Sequence, residues 1–363
     1  MLHDAILLST SITQKDRAKD YEYELASRQH GATVRRDHPS MRAFGSALIA
    51  RPVINSLGSS RLLMSASSPP RNKLEPHEAI LLGDEMKAAE DETCNAVVDR
   101  TAHVVVRLDG CCFSTYTKGF ARPYDLRVHR AMVGTATDLL ERFGAATAYT
   151  ESDEISLVFP PHTEAAPSPL PFNGRVQKVV SVFAGYASAR FNTHMLRESF
   201  DENSEAALRE RVERSEAHFD ARVFSLPTLD RLCAYMRWRA VLDCRRNSIS
   251  MLAQAHFSHD ELHCVDAATC VRMLEERKGI RWEETPPFFR FGTYVKKEEY
   301  LKAAVNPKTQ EQVLARRTRC AARSFALEEE AAKSFLLARY WPAPDEAGGE
   351  EGKDGEPVLI QDP

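Results

Sequence analysis

The sequence predicts an α+β fold built on a ferredoxin-like βαββαβ unit, and three observations predict it. A β-branched run, His103 to Leu108 (HVVVRL), ends on Asp109-Gly110 and reads as a buried strand closed by a turn. Residues 127–143 repeat apolar side chains at helical intervals. Two further apolar runs, Ala145 to Tyr149 and Ile155 to Phe159, flank Thr150-Glu151-Ser152-Asp153-Glu154 and read as two strands of a hairpin.

Taken in order, the strand places Asp109 at its tip. The helix that follows aligns Val128, Met132, Ala136, Leu139, Leu140 and Phe143 on one face, and Gly144 stops it. The hairpin then brings Asp153 to the end of a second strand. A second helix over 176–199 carries Val179, Val182, Phe183, Tyr186 and Phe191 on or near one face. Strand, helix, strand, strand, helix is most of the unit, and no run marks the closing strand.

Helical additions are expected further along. Ser258, three residues ahead of Glu261, reads as a capping box. His259 and His263 share a helical face, but a zinc-protease motif needs Glu directly after the first His. Arg316, Arg317, Arg319 and Arg323 mark a late basic helix, solvated or touching RNA.

A chain of 363 residues, 43% hydrophobic and 28% charged, is long enough to bury a sizeable core. No apolar run is long enough to span a membrane. The net charge of −4 gives no overall attraction for nucleic acid, so an RNA site has to be a local basic patch. The eight cysteines form no CxxC and no zinc-finger spacing, which reads as reduced thiols in an intracellular compartment. No GxxxxGK[ST] or GxGxxG supports a P-loop or Rossmann site.

The ends read as extensions. Residues 1–73 hold eleven Lys and Arg against six acids, and from Met41 to Lys73 there is no acid at all. That basic, Ser-rich composition fits a mitochondrial presequence if translation starts at Met41, or a disordered basic linker in a cytoplasmic protein. Residues 342–363, rich in Gly, Pro and acids, read as a disordered acidic tail. The folded body is expected over 74–341.

If the two strands are neighbours, Asp109 and Asp153 point into the same space and repel unless a proton or cation is shared. Mg²⁺ takes one or two carboxylates plus phosphate oxygens, so two aspartates and the Gly110 carbonyl suffice for a pair of ions. A side chain at Gly110 would block phosphates from approaching. Taken alone, acids at strand ends are more often solvated turn residues.

Read together, VVVRLDGCCFSTYTKGFARPYDLR and AYTESDEISLVF resemble the tRNA-His guanylyltransferase family over roughly 82–300. The shared motifs are Arg107-Leu108-Asp109-Gly110, Phe113, Phe120, Arg122-Pro123, Asp125 and Ser152-Asp153-Glu154, in family order. The resemblance implies a polymerase-like palm that adds nucleotides in the 3′-to-5′ direction. It makes Asp109, Gly110 and Asp153 the ligands of two Mg²⁺ ions, with Glu154 a third acid beside them.

By the same resemblance, Asp109, Gly110, Cys111, Cys112, Phe113, Ser114, Ser152 and Asp153 line the nucleotide. The side chains of Cys111 and Cys112 read as packing residues, since Mg²⁺ has little use for sulfur. Arg122, Lys178 and Arg245 or Arg246 would neutralise phosphate charge, and Asn247 would meet the nucleotide. The arginines around Trp238 would contact triphosphate or the tRNA end, with Trp238 a base-stacking ring. At 245–250 the family's His-Ile-Asn-Asn-Leu-Tyr is replaced by Arg-Arg-Asn-Ser-Ile-Ser. That form, and Leu82-Gly83-Asp84-Glu85-Met86-Lys87, resemble the branch that repairs 5′-truncated tRNAs by templated addition. GTP and ATP are the implied substrates, tRNA the partner and a tetramer the assembly. A palm-type nucleotide cyclase and an inactive tRNA-binding protein are the alternatives.

Overall fold

The structure is a computed structural model and describes residues 75–305, 308 and 312–342. The readings made for 1–73, including the presequence, and for 343–363 lie outside those residues. Among the described residues no helix is long and apolar enough to cross a membrane.

After an N-terminal helix α1 (Pro76–Cys94), the chain runs β1 (His103–Gly110), short α2 (Phe113–Tyr116), α3 (Leu126–Phe143), β2 (Thr147–Glu151), β3 (Glu154–Phe159) and α4 (Val176–Leu196). A short α5 (Ala206–Glu213) then leads to β4 (Phe219–Leu226). The order in the sheet is β4-β1-β3-β2, all antiparallel, which is the ferredoxin-like arrangement. The closing strand that no run marked is β4, whose FDARVFSL is only half-buried. α3 is held as its sequence requires: Asp125 caps its N-terminus and Gly144, at φ 73°, its C-terminus.

A longer ribbon, β5 (Thr293–Val305) and β6 (Gln312–Arg323), extends the sheet beyond β2. Here the basic helix expected over 316–323 is corrected to a strand. Arg319 stands directly across from Glu298 and bonds it at 2.8 Å, Arg323 bonds the same carboxylate at 2.5 Å, and Arg316 reaches Glu299 at 3.2 Å. The spacing of these arginines imitates a helical face, but their partners lie on the neighbouring strand.

The sheet is covered on both faces. Val104, Val106, Leu108, Ile155, Leu157 and Phe159 pack under α3 and α4. Val105, Tyr149, Val158 and Tyr294 face α6 (Leu229–Arg237) and α10 (Glu329–Leu337). A π-helical segment, Trp238–Asp243, joins α6 to α7 (Cys244–His256), which packs with α8 (Ala267–Lys278) and short α9 (Pro287–Phe291) in a third cluster. The Ser258–Glu261 hydrogen bonds of a capping box form, yet 259–264 is a run of turns, and α8 starts later, capped by Asp266.

Candidate active site

β1 runs two residues past Leu108, so Asp109 and Gly110 are its last two positions. The β2–β3 hairpin is tighter than its sequence implied: β2 ends on Glu151, β3 starts on Glu154, and Asp153 lies in the turn rather than on a strand. The Gly110 N–H donates to the Asp153 carbonyl at 3.0 Å, so the two expected ligand segments are in direct contact. Ser152, at φ 50°, and Cys112, at φ 55°, both hold the left-handed backbone without being glycine, one on each side of this contact.

Asp109 sits directly opposite Glu154 on β3 and Asp220 on β4. Paired residues share a face, so these acids and Arg107 stand together on the side covered by α6 and the π segment. Arg107 donates to Asp109 Oδ2 at 2.9 Å and to Glu154 Oε2 at 3.1 Å. Arg239, almost fully buried, pairs with Glu154 and with Asp243, and Arg246 reaches Asp243 at 2.8 Å. Glu154, expected as a third acid beside the metals, stands opposite Asp109, with its carboxylate held between the Arg107 and Arg239 guanidiniums.

Two carboxyls in this group face no guanidinium of their own. Burial pushes Glu151 up to about 7, against the opposing pull of Arg239, and Asn247 Nδ2 donates to it at 3.3 Å. Burial, reinforced by the charge of Asp109, also raises Asp153. Arg107, Arg239 and Arg246 offset Asp109, Glu154 and Asp243, and Arg222 stands 3.9 Å from Asp220, which leaves Glu151 and Asp153 without an ion pair. That surplus, and a donor set of two aspartates with a backbone carbonyl beside them, fits a divalent ion of the Mg²⁺ kind. Among the described residues no group of three or more His, Cys, Asp and Glu side chains is arranged to hold a metal.

Beside the turn lies a cavity of about 350 Å³, large enough for a small ligand. Phe113, Ser114, Arg122, Ser152, Asp153 and Asn247 line it, as the resemblance implied. Tyr124, His129, Phe288 and Phe289 form an aromatic end, which no sequence pattern marked. Glu151 lines it too and was also missed. The i,i+4 pair Arg239–Asp243 was the one available signal for the buried charges on the helical side.

The other expected residues fall elsewhere. Asp109, Gly110, Cys111 and Cys112 lie outside the cavity lining, and Cys112 is exposed rather than a packing residue. Arg245 lies over the Trp282 ring at 5.0 Å, and Trp238 is 46% exposed. Lys178 is exposed at the start of α4, where Val98 N–H bonds the Gly174 carbonyl, at the opposite end of the sheet from Gly110. An eight-residue strand separates them, about 25 Å. The reason given for Gly110 also changes: a Cβ there would meet the Phe113 ring at 2.3 Å, so the close approach is to a ring and not to phosphate.

A ferredoxin-like antiparallel sheet with paired acids at a strand end and an adjoining turn, opening on a ligand cavity, defines a palm-type nucleotidyltransferase. The sequence profile of the family described as tRNAHis guanylyltransferase matches residues 83–227. A bacterial tRNA(His) guanylyltransferase (Thg1)-like protein solved with ATP superposes with a TM-score of 0.52 at 30% identity, covering 64% of this chain and 91% of that one. One solved with GTP gives 0.51 at 28%, covering 70% and 99%. An uncharacterised protein of Acanthamoeba polyphaga mimivirus is 32% identical over 60% of this chain and 77% of its own. The tRNA(His) guanylyltransferase of Debaryomyces hansenii is 30% identical over 40% of this chain, which spans about half (51%) of that enzyme. The chain belongs to the tRNA-His guanylyltransferase family.

Proposed function

We propose that this chain is a Mg²⁺-dependent nucleotidyltransferase that adds nucleotides to the 5′ end of tRNA, and that it does so by templated repair of truncated 5′ ends. The observation that carries the reading is the contact of the Gly110 and Asp153 segments at the mouth of a nucleotide-sized cavity. The solved relatives, one in complex with ATP and one with GTP, support triphosphates as its substrates.

Asp109, the Gly110 carbonyl and Asp153 would hold the ions, which supply charge stabilisation to the attacking and leaving oxygens of phosphoryl transfer. Around them, Arg122 at the cavity mouth offers a guanidinium to the triphosphate. Arg107 orients Asp109, and Arg239 pairs with Glu154. The aromatic end takes the base and excludes water from it. Reaction requires a nucleotide 3′-hydroxyl to attack an activated 5′ end, displacing the activating phosphates. Repair rather than single-G addition rests on Arg245-Arg246-Asn247-Ser248 standing where the single-G enzymes carry a different run.

The test is incorporation of labelled nucleotide, with Mg²⁺, onto a tRNA lacking its first 5′ nucleotide and onto intact tRNA-His. Extension of the truncated tRNA that matches the opposite strand, absent in Asp109→Ala, supports repair. One G on intact tRNA-His alone would replace repair with guanylyl addition. An active Asp109→Ala protein, or a wild type inactive on both substrates, would sink the reading. The tetramer expected from the family is checked by light scattering on the same protein.

A further inference from the structure

The aromatic end of the cavity carries two polar rings, Tyr124 and His129. The imidazole is the one that offers both a donor and an acceptor in the plane of its stack. His129, in the first turn of α3, stacks on Phe288 with ring centroids 4.0 Å apart and planes 20° from parallel. Phe288 is in turn fixed edge-on by Tyr124 at 5.1 Å, and Tyr124 packs on Phe289 at 4.9 Å. The ring nitrogens of His129 have no hydrogen-bond or ion-pair partner among the described residues.

The neighbouring polar side chains are already engaged. Asp125 accepts from Ala121 N, Arg127 N, Arg127 Nε and Arg127 Nη2, which takes up both its oxygens. Thr117 donates to the Phe113 carbonyl and Thr150 to the Glu154 carbonyl. Ser248 donates to the Arg245 carbonyl and accepts from Trp282 Nε1. Asn247 is turned to Glu151, and Gln254 to Ser250. Burial, with the nearby charge of Arg130, holds His129 down to about 4, so at neutral pH its ring has one N–H donor and one acceptor.

We propose that His129 is the specificity-determining residue of the cavity, its free ring edge hydrogen-bonding the base of the bound nucleoside triphosphate. His129 is half-buried and its edge opens on the cavity without a partner among the described residues. A base lying against the aromatic wall therefore displaces water there and has to supply the bond it removes. Bases that cannot complete that bond leave the imidazole unpaired and bind less well. The inference rests on the nucleotide reading of the cavity and names the residue that discriminates among bases.

Calorimetric titration of the full chain with GTP, ATP, UTP, CTP and inorganic tripolyphosphate, all with Mg²⁺, tests it. The wild type should separate its best and worst bases by about tenfold, the worth of one hydrogen bond. His129→Phe keeps the stack and deletes the bond, so its spread should fall below about threefold with tripolyphosphate binding unchanged. His129→Gln, which still donates and accepts, should keep most of the discrimination. His129→Leu serves as the second deletion if the Phe variant melts early. An unchanged spread in the deletion variants, or no spread in the wild type, overturns the inference. A wild type that binds tripolyphosphate but no nucleotide, or none of the five, refutes the nucleotide reading itself and this inference with it.

Discussion

Replacing Gly110 with Ala isolates the physical reason for a glycine beside the site. Gly110 is the last residue of β1 and alternates with Leu108, so its Cα hydrogens point toward the face under α3 and α4. The chain then reverses through left-handed Cys112 and lays the Phe113 ring across that spot. An added Cβ would stand 2.3, 2.6 and 2.7 Å from three carbons of the ring. The ring is hemmed in by Tyr116, Phe191 and Phe219, which lie 5.4, 5.3 and 5.1 Å from it, centroid to centroid. Overpacking of this kind costs about 1–3 kcal/mol.

For a domain of this size each kcal/mol is worth about 2–4 °C, so Gly110→Ala should melt roughly 2–12 °C below wild type. Circular dichroism melts and urea titrations of the single and double variants form the assay. Phe113→Leu alone should destabilise through lost packing, but in the pair the shorter side chain makes room for the Cβ. The double variant should therefore be more stable than the sum of the singles by about 0.5–3 kcal/mol. If the two changes add, or if Gly110→Ala melts with wild type while losing tripolyphosphate binding, the packing argument is wrong and the phosphate argument returns.

Glu154→Ala would leave Arg107 and buried Arg239 without their shared carboxylate, so it should lower urea stability by about 3–5 kcal/mol; a mere metal-facing acid would cost little. Asp153 has its carboxyl raised by burial and Asp109, so its contribution is present at low pH and lost as pH rises through its folded value. Without Mg²⁺ at pH 8, Asp153→Asn should therefore melt above wild type, and added Mg²⁺ should raise only the wild-type melt. Asp138 holds His194 at 2.7 Å and Arg190 at 2.5 Å, joining α3 to α4. Burial alone would raise Asp138, but those hydrogen bonds outweigh it and leave it below its ordinary 3.8. Its stabilisation is thus present above 3.8 and lost as pH falls through the folded value. Asp138→Asn should be the less stable protein near pH 6 and converge on wild type near pH 2, read by melts across that range.

The elements legible in the sequence were those that are most apolar: strands buried on both faces and helices with one full apolar face. β1, α3, the hairpin and α4 each present a full apolar face, and α3 also carries both caps in its own residues. β4 was illegible because Asp220 and Arg222 interrupt a strand that is covered only partly. The β5–β6 ribbon was misread because its arginines answer glutamates about twenty residues away, and periodicity sees only neighbours. At the site, motif residues told where the acids fall but not which are neutralised. That depends on Arg239, a buried arginine brought from beyond β4 by the π segment.

That segment also decides what the 245–248 run can influence. Arg239, Asp243 and Asn247 follow one another at intervals of four along the π segment and α7, and all three turn toward the sheet. Arg239 meets Glu154, Asp243 closes on Arg239, and Asn247 meets Glu151, so one stripe touches the ends of both β2 and β3. Residues one or two positions off such a stripe face away from it. Arg246, 68% exposed in its side chain, therefore points outward although it bonds Asp243, and Arg245 leans on Trp282. Of the residues that replace the family's usual run, Asn247 and Ser248 reach the cavity and the two arginines do not. Both arginines are exposed and stand outside the cavity lining. A change of that run therefore reaches the site in two ways, through Arg246 on Asp243 from outside and through Asn247 on Glu151 at the cavity.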